Sequence, residues 1–167
     1  MHNSLQLRRA PVLLTAALLA ALATLVAVHA ASGATAASKV KVGKTALGSV
    51  LVDGRGRTLY RFMKDTGRRS HCSGACAQAW PPLTTKERPE AEGGAKASRV
   101  STVRRSGGAR QVLYAGHPLY RFALDSAAGD TGGQGLKAFG GRWYVVASSG
   151  RAIRGSGAAA PPSPGGY

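Results

Sequence analysis

Apolar and polar positions divide the 167-residue chain into one long apolar run followed by several short alternating ones. Residues 12–28 are uncharged and mostly Ala, Leu and Val, and the basic pair Arg8 and Arg9 precedes them. Further on, apolar residues recur with period two, the spacing of a strand that buries one face. Residues 49–52 (SVLV) predict a strand and 58–62 its return strand. Between them, residues 53–56 (DGRG) supply turn chemistry, because glycine takes positive φ without a Cβ clash. The same series follows at 111–114, 115–117 and 118–122, where Pro118 lacks an N–H and suits a strand start. Strands are also expected at 99–104 and 142–146. A short helix is expected at 75–80, stopped by Pro81 and Pro82, and a long charged loop at 84–98.

An internal repeat organises these elements. Leu59-Tyr60-Arg61-Phe62 recurs as Leu119-Tyr120-Arg121-Phe122, and Asp65 and Asp125 each stand three residues beyond the phenylalanine. Val52 and Gly56 align with Val112 and Gly116 at the same spacing. Self-similarity of this kind marks a duplicated supersecondary unit. The expected fold class is therefore mainly β. Two related β-hairpin units, 47–83 and 99–147, form one small domain over 42–148, between a disordered linker at 31–41 and a disordered tail at 149–167. Alternation places Tyr60 and Phe62 on one face of the return strand and Leu59, Arg61 and Met63 on the other. Paired aromatics on a strand predict a core in each unit, with a ligand-stacking face as the alternative.

Charge changes the picture of where the chain works. It carries 23 Lys and Arg against 7 Asp and Glu, a net charge of +16, yet 44% of residues are apolar. That apolar fraction excludes a purely electrostatic disordered chain. The basic pair, the apolar run and the small residues of Val28-His29-Ala30 form the pattern of a secretory signal peptide over 1–30, with Ala34-Thr35-Ala36 as a second cleavage site. An uncleaved membrane anchor is the alternative, the apolar run being at the lower limit for spanning a bilayer. Cleavage removes Arg8 and Arg9 and leaves a chain of net charge +14, from 21 basic and 7 acidic residues. Beyond it, the arginine doublets are Arg68-Arg69 and Arg104-Arg105. The expected location is secreted and extracytoplasmic, at the cell envelope. Export and the lack of a nucleic-acid motif argue against a nucleic-acid partner. An anionic cell-wall polymer or membrane surface fits the charge, and a monomer is expected.

Candidate chemistry is sparse. A secreted chain with two cysteines, Cys72 and Cys76, most simply forms one disulfide, and i,i+4 spacing on a helical turn lies within disulfide reach. The alternative is an extracytoplasmic copper or redox site of Cys72, Cys76 and His71, with Met63 as a further ligand, because soft thiolates suit Cu(I). No cofactor is otherwise expected. Asp65 and Asp125 follow strands, where a carboxylate accepts backbone N–H bonds; a general acid–base pair or cation site is the other reading. Residues 130–135 (DTGGQG) form a glycine-rich loop with no Lys-Ser/Thr after it, which excludes a P-loop. His117 falls in a hairpin turn and is expected to face solvent. No nucleophile–base signature is present, so a small wall-acting enzyme working through Asp65 or Asp125 ranks third.

On these residues the chain resembles the secreted repeat of unknown function family, bacterial envelope proteins described as predicted lipoproteins with a Tyr-x-[Phe/Trp/Tyr]-x-x-Asp motif. Tyr60, Phe62 and Asp65 match one copy, and Tyr120, Phe122 and Asp125 the other. Cys72-Ser73-Gly74-Ala75-Cys76 with Trp80-Pro81-Pro82 matches the family's Cys-x-Gly-x-Cys…Trp-Pro-Pro element. Asp130 and Gln134, ahead of Trp143, lie in its Gly-Asp-Thr…Gly-Gln-Gly element. The resemblance covers about residues 44–147 and implies an actinobacterial-type secreted or envelope protein with no established reaction. The chain lacks the lipobox cysteine of lipoprotein members. The combined expectation is a non-catalytic envelope module.

Overall fold

The computed structural model describes residues 37–155. The signal-peptide segment 1–30, with its alternative role as an anchor, and residues 156–167 of the tail lie outside the described residues. Each repeat opens on an antiparallel hairpin. In the first, β1 (Lys39–Thr45) pairs with β2 (Gly48–Asp53) from Val40↔Asp53 to Thr45↔Gly48. In the second, β6 (Val100–Arg104) pairs with β7 (Arg110–Tyr114) from Val100↔Tyr114 to Arg104↔Arg110. Residues 39–41 were expected in a linker but belong to β1. The run Lys39-Val40-Lys41-Val42 alternates like any strand, with Val40 fully buried. Its lysines give it the composition of a linker although its pattern is that of a half-buried strand.

The hairpins lead into the motif segments. Asp53 caps the turn of the first repeat, its Oδ1 accepting the N–H of Arg55 (2.9 Å) and of Arg57 (3.1 Å). Beyond the turn runs β3 (Tyr60–Phe62). In the second repeat the turn is Ala115-Gly116, both at positive φ (49° and 81°), which suits a two-residue hairpin. Only β8 (His117–Pro118) continues as a strand there, shorter than the expected 118–122. His117 is half-buried in β8 rather than facing solvent, and burial, then the charge of Arg61, lowers its pKa. The remaining elements are α1 (Ala75–Ala79), β4 (Thr84–Thr85), β5 (Glu90–Glu92), β9 (Lys137–Ala138) and β10 (Gly141–Val145).

The strands form three small sheets, in the orders β2-β1-β5, β3-β10-β9 and β4-β7-β6, with β8 added to β7. The fold is mainly β, as expected. The inter-repeat segment 84–98 is more ordered than a long loop. β5 joins the open edge of β1 in parallel, and Lys39 pairs with Glu92 at 2.6 Å and Glu90 at 3.8 Å. An unpaired edge strand is a liability, and this pairing removes it. The tail also departs from expectation: Ile153 N–H donates to Val145 O (2.9 Å), and its side chain packs on the aromatic core. Residues 149–155 therefore belong to the fold.

The two repeats are interlocked by backbone hydrogen bonds. In one ring, Leu51 N–H donates to Val146 O (2.7 Å), Val146 N–H to Leu59 O (3.0 Å) and Leu59 N–H to Leu51 O (2.9 Å). In the other, Val112 N–H donates to Leu83 O (2.8 Å), Leu83 N–H to Leu119 O (2.9 Å) and Leu119 N–H to Val112 O (3.0 Å). Each ring takes two residues from one repeat and the third from the other. Leu83 follows Trp80 by three residues, as Val146 follows Trp143, so both repeats end on equivalent segments that have changed places. The six side chains are buried in one cluster with Val40 and Tyr114. Each such burial is worth about 1.5–3 kcal/mol.

Leu83→Ala is expected to destabilise the whole domain by about 2–5 kcal/mol. Because the apolar cluster it depletes takes side chains from both repeats, urea unfolding should remain a single transition by fluorescence and by far-UV circular dichroism. Two separated transitions would show that the repeats fold independently.

Candidate functional site

The motif aromatics form one shared core instead of one core per repeat. Phe62 stacks on Trp143 (4.1 Å between centroids, 7° between planes), Trp143 on Trp80 (4.0 Å, 3°), and Trp80 on Phe122 (4.4 Å, 30°). Tyr60 meets Trp80 edge-on at 5.4 Å, and Tyr120 meets Trp143 edge-on at 5.1 Å. Each Trp thus touches the Tyr of its own repeat and the Phe of the other. Such pairs add about 0.5–1.5 kcal/mol beyond the area they bury. Tyr60, Phe62, Trp80, Tyr120 and Trp143 are all buried, which leaves no open ring face along the stack for a ligand; Phe122, at one end, is half-buried.

The motif polar groups exchange partners in the same way. Tyr60 and Tyr120 lie across from each other, each donating its backbone N–H to the other's carbonyl (2.8 and 3.0 Å). The Tyr60 hydroxyl donates to Asp125 Oδ2 (2.5 Å), and the Tyr120 hydroxyl to Asp65 Oδ2 (2.7 Å). The second carboxylate oxygens take backbone donors, Asp65 Oδ1 from His71 N–H (2.7 Å) and Asp125 Oδ1 from Gly132 N–H (3.0 Å). The expected loop-fastening role of both aspartates is present, with a cross-repeat bond added. Burial pushes both carboxyl groups above the usual carboxylate range. The same burial, helped by the carboxylate each faces, pushes both phenols well above the usual tyrosine range.

The loop 130–135 supports this core. Asp130 Oδ2 accepts the N–H of Ser126 (2.9 Å) and of Ala127 (2.7 Å). Gln134 ties β10 to the C-terminal segment, accepting from Val145 N–H (2.9 Å) and donating to Ile153 O (2.7 Å). Gly133 lies against the rings, and a Cβ there would stand 2.6 Å from Trp80 and 2.9 Å from Tyr60. The loop is a structural support, and its glycines give close approach. One structural residue went unrecognised in the sequence. Asp53 is buried and ion-paired with Arg57 at 2.8 Å and Arg121 at 3.7 Å, and its Asp-Gly turn was the visible signal.

Cys72 and Cys76 form a disulfide, with their Cα atoms 5.2 Å apart. Cys72 precedes α1 and Cys76 lies within it, so the bridge joins a loop to the helix instead of spanning one helical turn. Both cysteines are buried against the aromatic cluster. Their sulfurs are bonded to each other and offer no thiolates, and the His71 Nε2 lies 2.9 Å from Thr66 Oγ1. Among the described residues no group of three or more His, Cys, Asp or Glu side chains is placed to hold a metal ion. The copper arrangement of Cys72, Cys76 and His71 is not assembled.

What the sequence scattered, the fold gathers beside this disulfide. The loop after Asp65 and the turn between β6 and β7 border a cleft of about 500 Å³, whose lining includes Arg68, Arg69, His71, Cys72, Arg104 and Arg105. Both arginine doublets thus face one opening. Arg105 is held in place, donating to Gln111 Oε1 (2.6 Å), Ser70 Oγ (2.9 Å) and the Cys72 carbonyl (2.5 Å). Arg68 donates to the Thr102 carbonyl (2.9 Å). No Asp or Glu lines the cleft.

A family model described as a secreted repeat of unknown function matches residues 41–84 and 101–147. These are the two stretches that the rings and the Tyr–Asp bonds interlock. No curated protein and no solved structure matches the chain.

Tyr60→Phe removes the phenol that donates to Asp125. Because Asp125 titrates above its ordinary value of 3.8, the native state binds this proton more tightly than the unfolded chain. The group's contribution to stability is therefore full at lower pH and declines as pH rises through the raised pKa. The lost bond favours the ionised carboxylate, so the substitution should cost about 1.5–3 kcal/mol at pH 7 and less near pH 3. Urea unfolding at the two pH values measures the difference; an equal cost at both would refute the assignment.

Proposed function

Since the chain belongs to the family of secreted repeats of unknown function, we propose that it is an extracytoplasmic, non-catalytic module that holds to an anionic polymer of the cell envelope. The observation that carries this reading is the division of charge between interior and surface. Asp53 and Asp125 are buried and Asp65 is half-buried, each engaged in structural bonds. Among the described residues the only Lys and Arg side chains in ion pairs are those of Lys39, Arg57 and Arg121. The surface is thus more positive than net charge alone conveys. Unpaired surface cations attract polyanions over roughly a Debye length of 8 Å at physiological salt.

Two alternatives draw less support. A wall-acting enzyme needs a free acid or base, whereas both oxygens of Asp65 and of Asp125 already accept hydrogen bonds. A membrane surface offers the same negative charge. However, Leu124 is the single large apolar side chain that stands exposed among the described residues, which offers little apolar surface to enter a bilayer. A polymer is therefore the favoured partner, reached after export directed by residues 1–30.

Co-sedimentation with purified cell walls tests the proposal. Binding should be strong at low salt, fall steeply towards about 0.5 M NaCl, and disappear from walls stripped of anionic polymer. Salt-independent sedimentation, or equal binding to stripped walls, contradicts it. Preferential binding to anionic lipid vesicles would move the partner to the membrane surface.

A further inference from the structure

Resting on the reading above, we propose that the cleft between the loop 68–73 and the β6–β7 turn is a discrete binding site for phosphate groups, entered by the phosphodiesters of an anionic polymer. The cleft has the volume of an ordinary ligand site. Four guanidinium groups and one imidazole border it, and no carboxylate lines it. The Asp65 carboxylate that precedes this loop has both oxygens engaged, by His71 N–H and by the Tyr120 hydroxyl.

The arginines divide into two roles. Arg105 and Arg68 are anchored to the protein through the bonds already described, and so present fixed positive charge. Arg69 and Arg104 are exposed and in no ion pair among the described residues, which leaves their planar donor forks for a ligand. A guanidinium fork matches two phosphate oxygens at once, a geometry an ammonium lacks. Several guanidiniums around one opening suit a group carrying more than one charged oxygen, or successive phosphates of a chain.

The duplication supplies an internal comparison. The loop after Asp125, residues 127–133, occupies the corresponding place in the second repeat, fastened to its aspartate by Gly132 as the first loop is by His71. It lies against the β1–β2 hairpin, where Gly129 approaches the Lys44 carbonyl. That loop contains no Lys or Arg, and it carries Asp130. The loop itself is thus maintained in the second repeat without any arginine. Fold requirements do not account for Arg69 and Arg104, whose side chains are exposed and in no ion pair among the described residues.

The full mature chain should be titrated at constant ionic strength with inorganic phosphate, a glycerol phosphodiester oligomer and acetate, following backbone amide shifts. Phosphate and the oligomer should perturb amides of residues 68–73 and 103–106, with the oligomer tighter, and acetate should bind more weakly. Arg69→Gln with Arg104→Gln should weaken oligomer binding about tenfold or more, while Arg88→Gln with Lys137→Gln, an equal loss of charge elsewhere, should change it less than about twofold. Thermal unfolding of both double variants should match the parent, because none of the four side chains is buried. Free phosphate binding as tightly as the oligomer would assign the site to the small ion and overturn the polymer entry. Shifts spread over the surface, or equal losses in the two double variants, would overturn the site itself. In that case continued salt-dependent wall binding would leave the broader reading standing; loss of wall binding by the parent chain would remove that reading and, with it, the polymer as the ligand.

Discussion

Two phenol–carboxylate hydrogen bonds, Tyr60 to Asp125 and Tyr120 to Asp65, set the geometry on which the other contacts are built. Each carboxylate joins its own loop to the tyrosine of the other repeat. Satisfying them brings the two tyrosine backbones within mutual hydrogen-bond reach, and the four-ring stack and the two closed backbone rings surround that contact. A buried, ionisable carboxyl group is costly without donors. With a phenol on one oxygen and a backbone amide on the other, that cost is offset, and a small core acquires a specified pairing. The motif spacing follows. Alternate residues of a strand place Tyr and Phe on one face, and three further residues bring the Asp around the following turn.

Much of this could be read from residues. The repeat, the mainly β character, the helix at 75–80, the turn at Asp53 and the pairing of Cys72 with Cys76 each had a local cause, such as period-two alternation, a proline stop, Asp-Gly chemistry or two cysteines in an exported chain. The exchange between repeats was not legible. Tyr60 and Asp125 are 65 positions apart, and nothing in either copy of the motif distinguishes a bond within a repeat from one across. β1 was obscured because its outward residues are lysines. β5 and the segment 149–155 were missed because their order comes from tertiary partners, Lys39 for the glutamates and Val145 for Ile153. Here tertiary context overrides local composition.

The candidate site shows the same limit in electrostatic form. Along the chain the arginines look dispersed, and net charge speaks to location and solubility without specifying a site. Folding draws the aspartates inward to brace turns and hold tyrosines, and it brings two doublets 36 positions apart to one opening beside the disulfide. The functional asymmetry of the molecule therefore arises on a nearly symmetric scaffold. One loop is spent on packing against its neighbouring hairpin, and its counterpart is left lined with cations.

The crossed rings carry an implication about ancestry. A polypeptide of a single repeat would hold two of a ring's three residues and one of its three bonds, half of an aromatic stack, and a tyrosine and an aspartate with no partners. Its missing pieces are the ones a second identical polypeptide would supply, with the same contacts made in both directions around a twofold axis. The present chain can be read as that symmetric dimer with its subunits fused. Fusion replaces a bimolecular encounter by an intramolecular one at high effective concentration. It also releases each half from the need to be identical to the other, which is the condition for one loop to remain a brace while its twin becomes a binding surface.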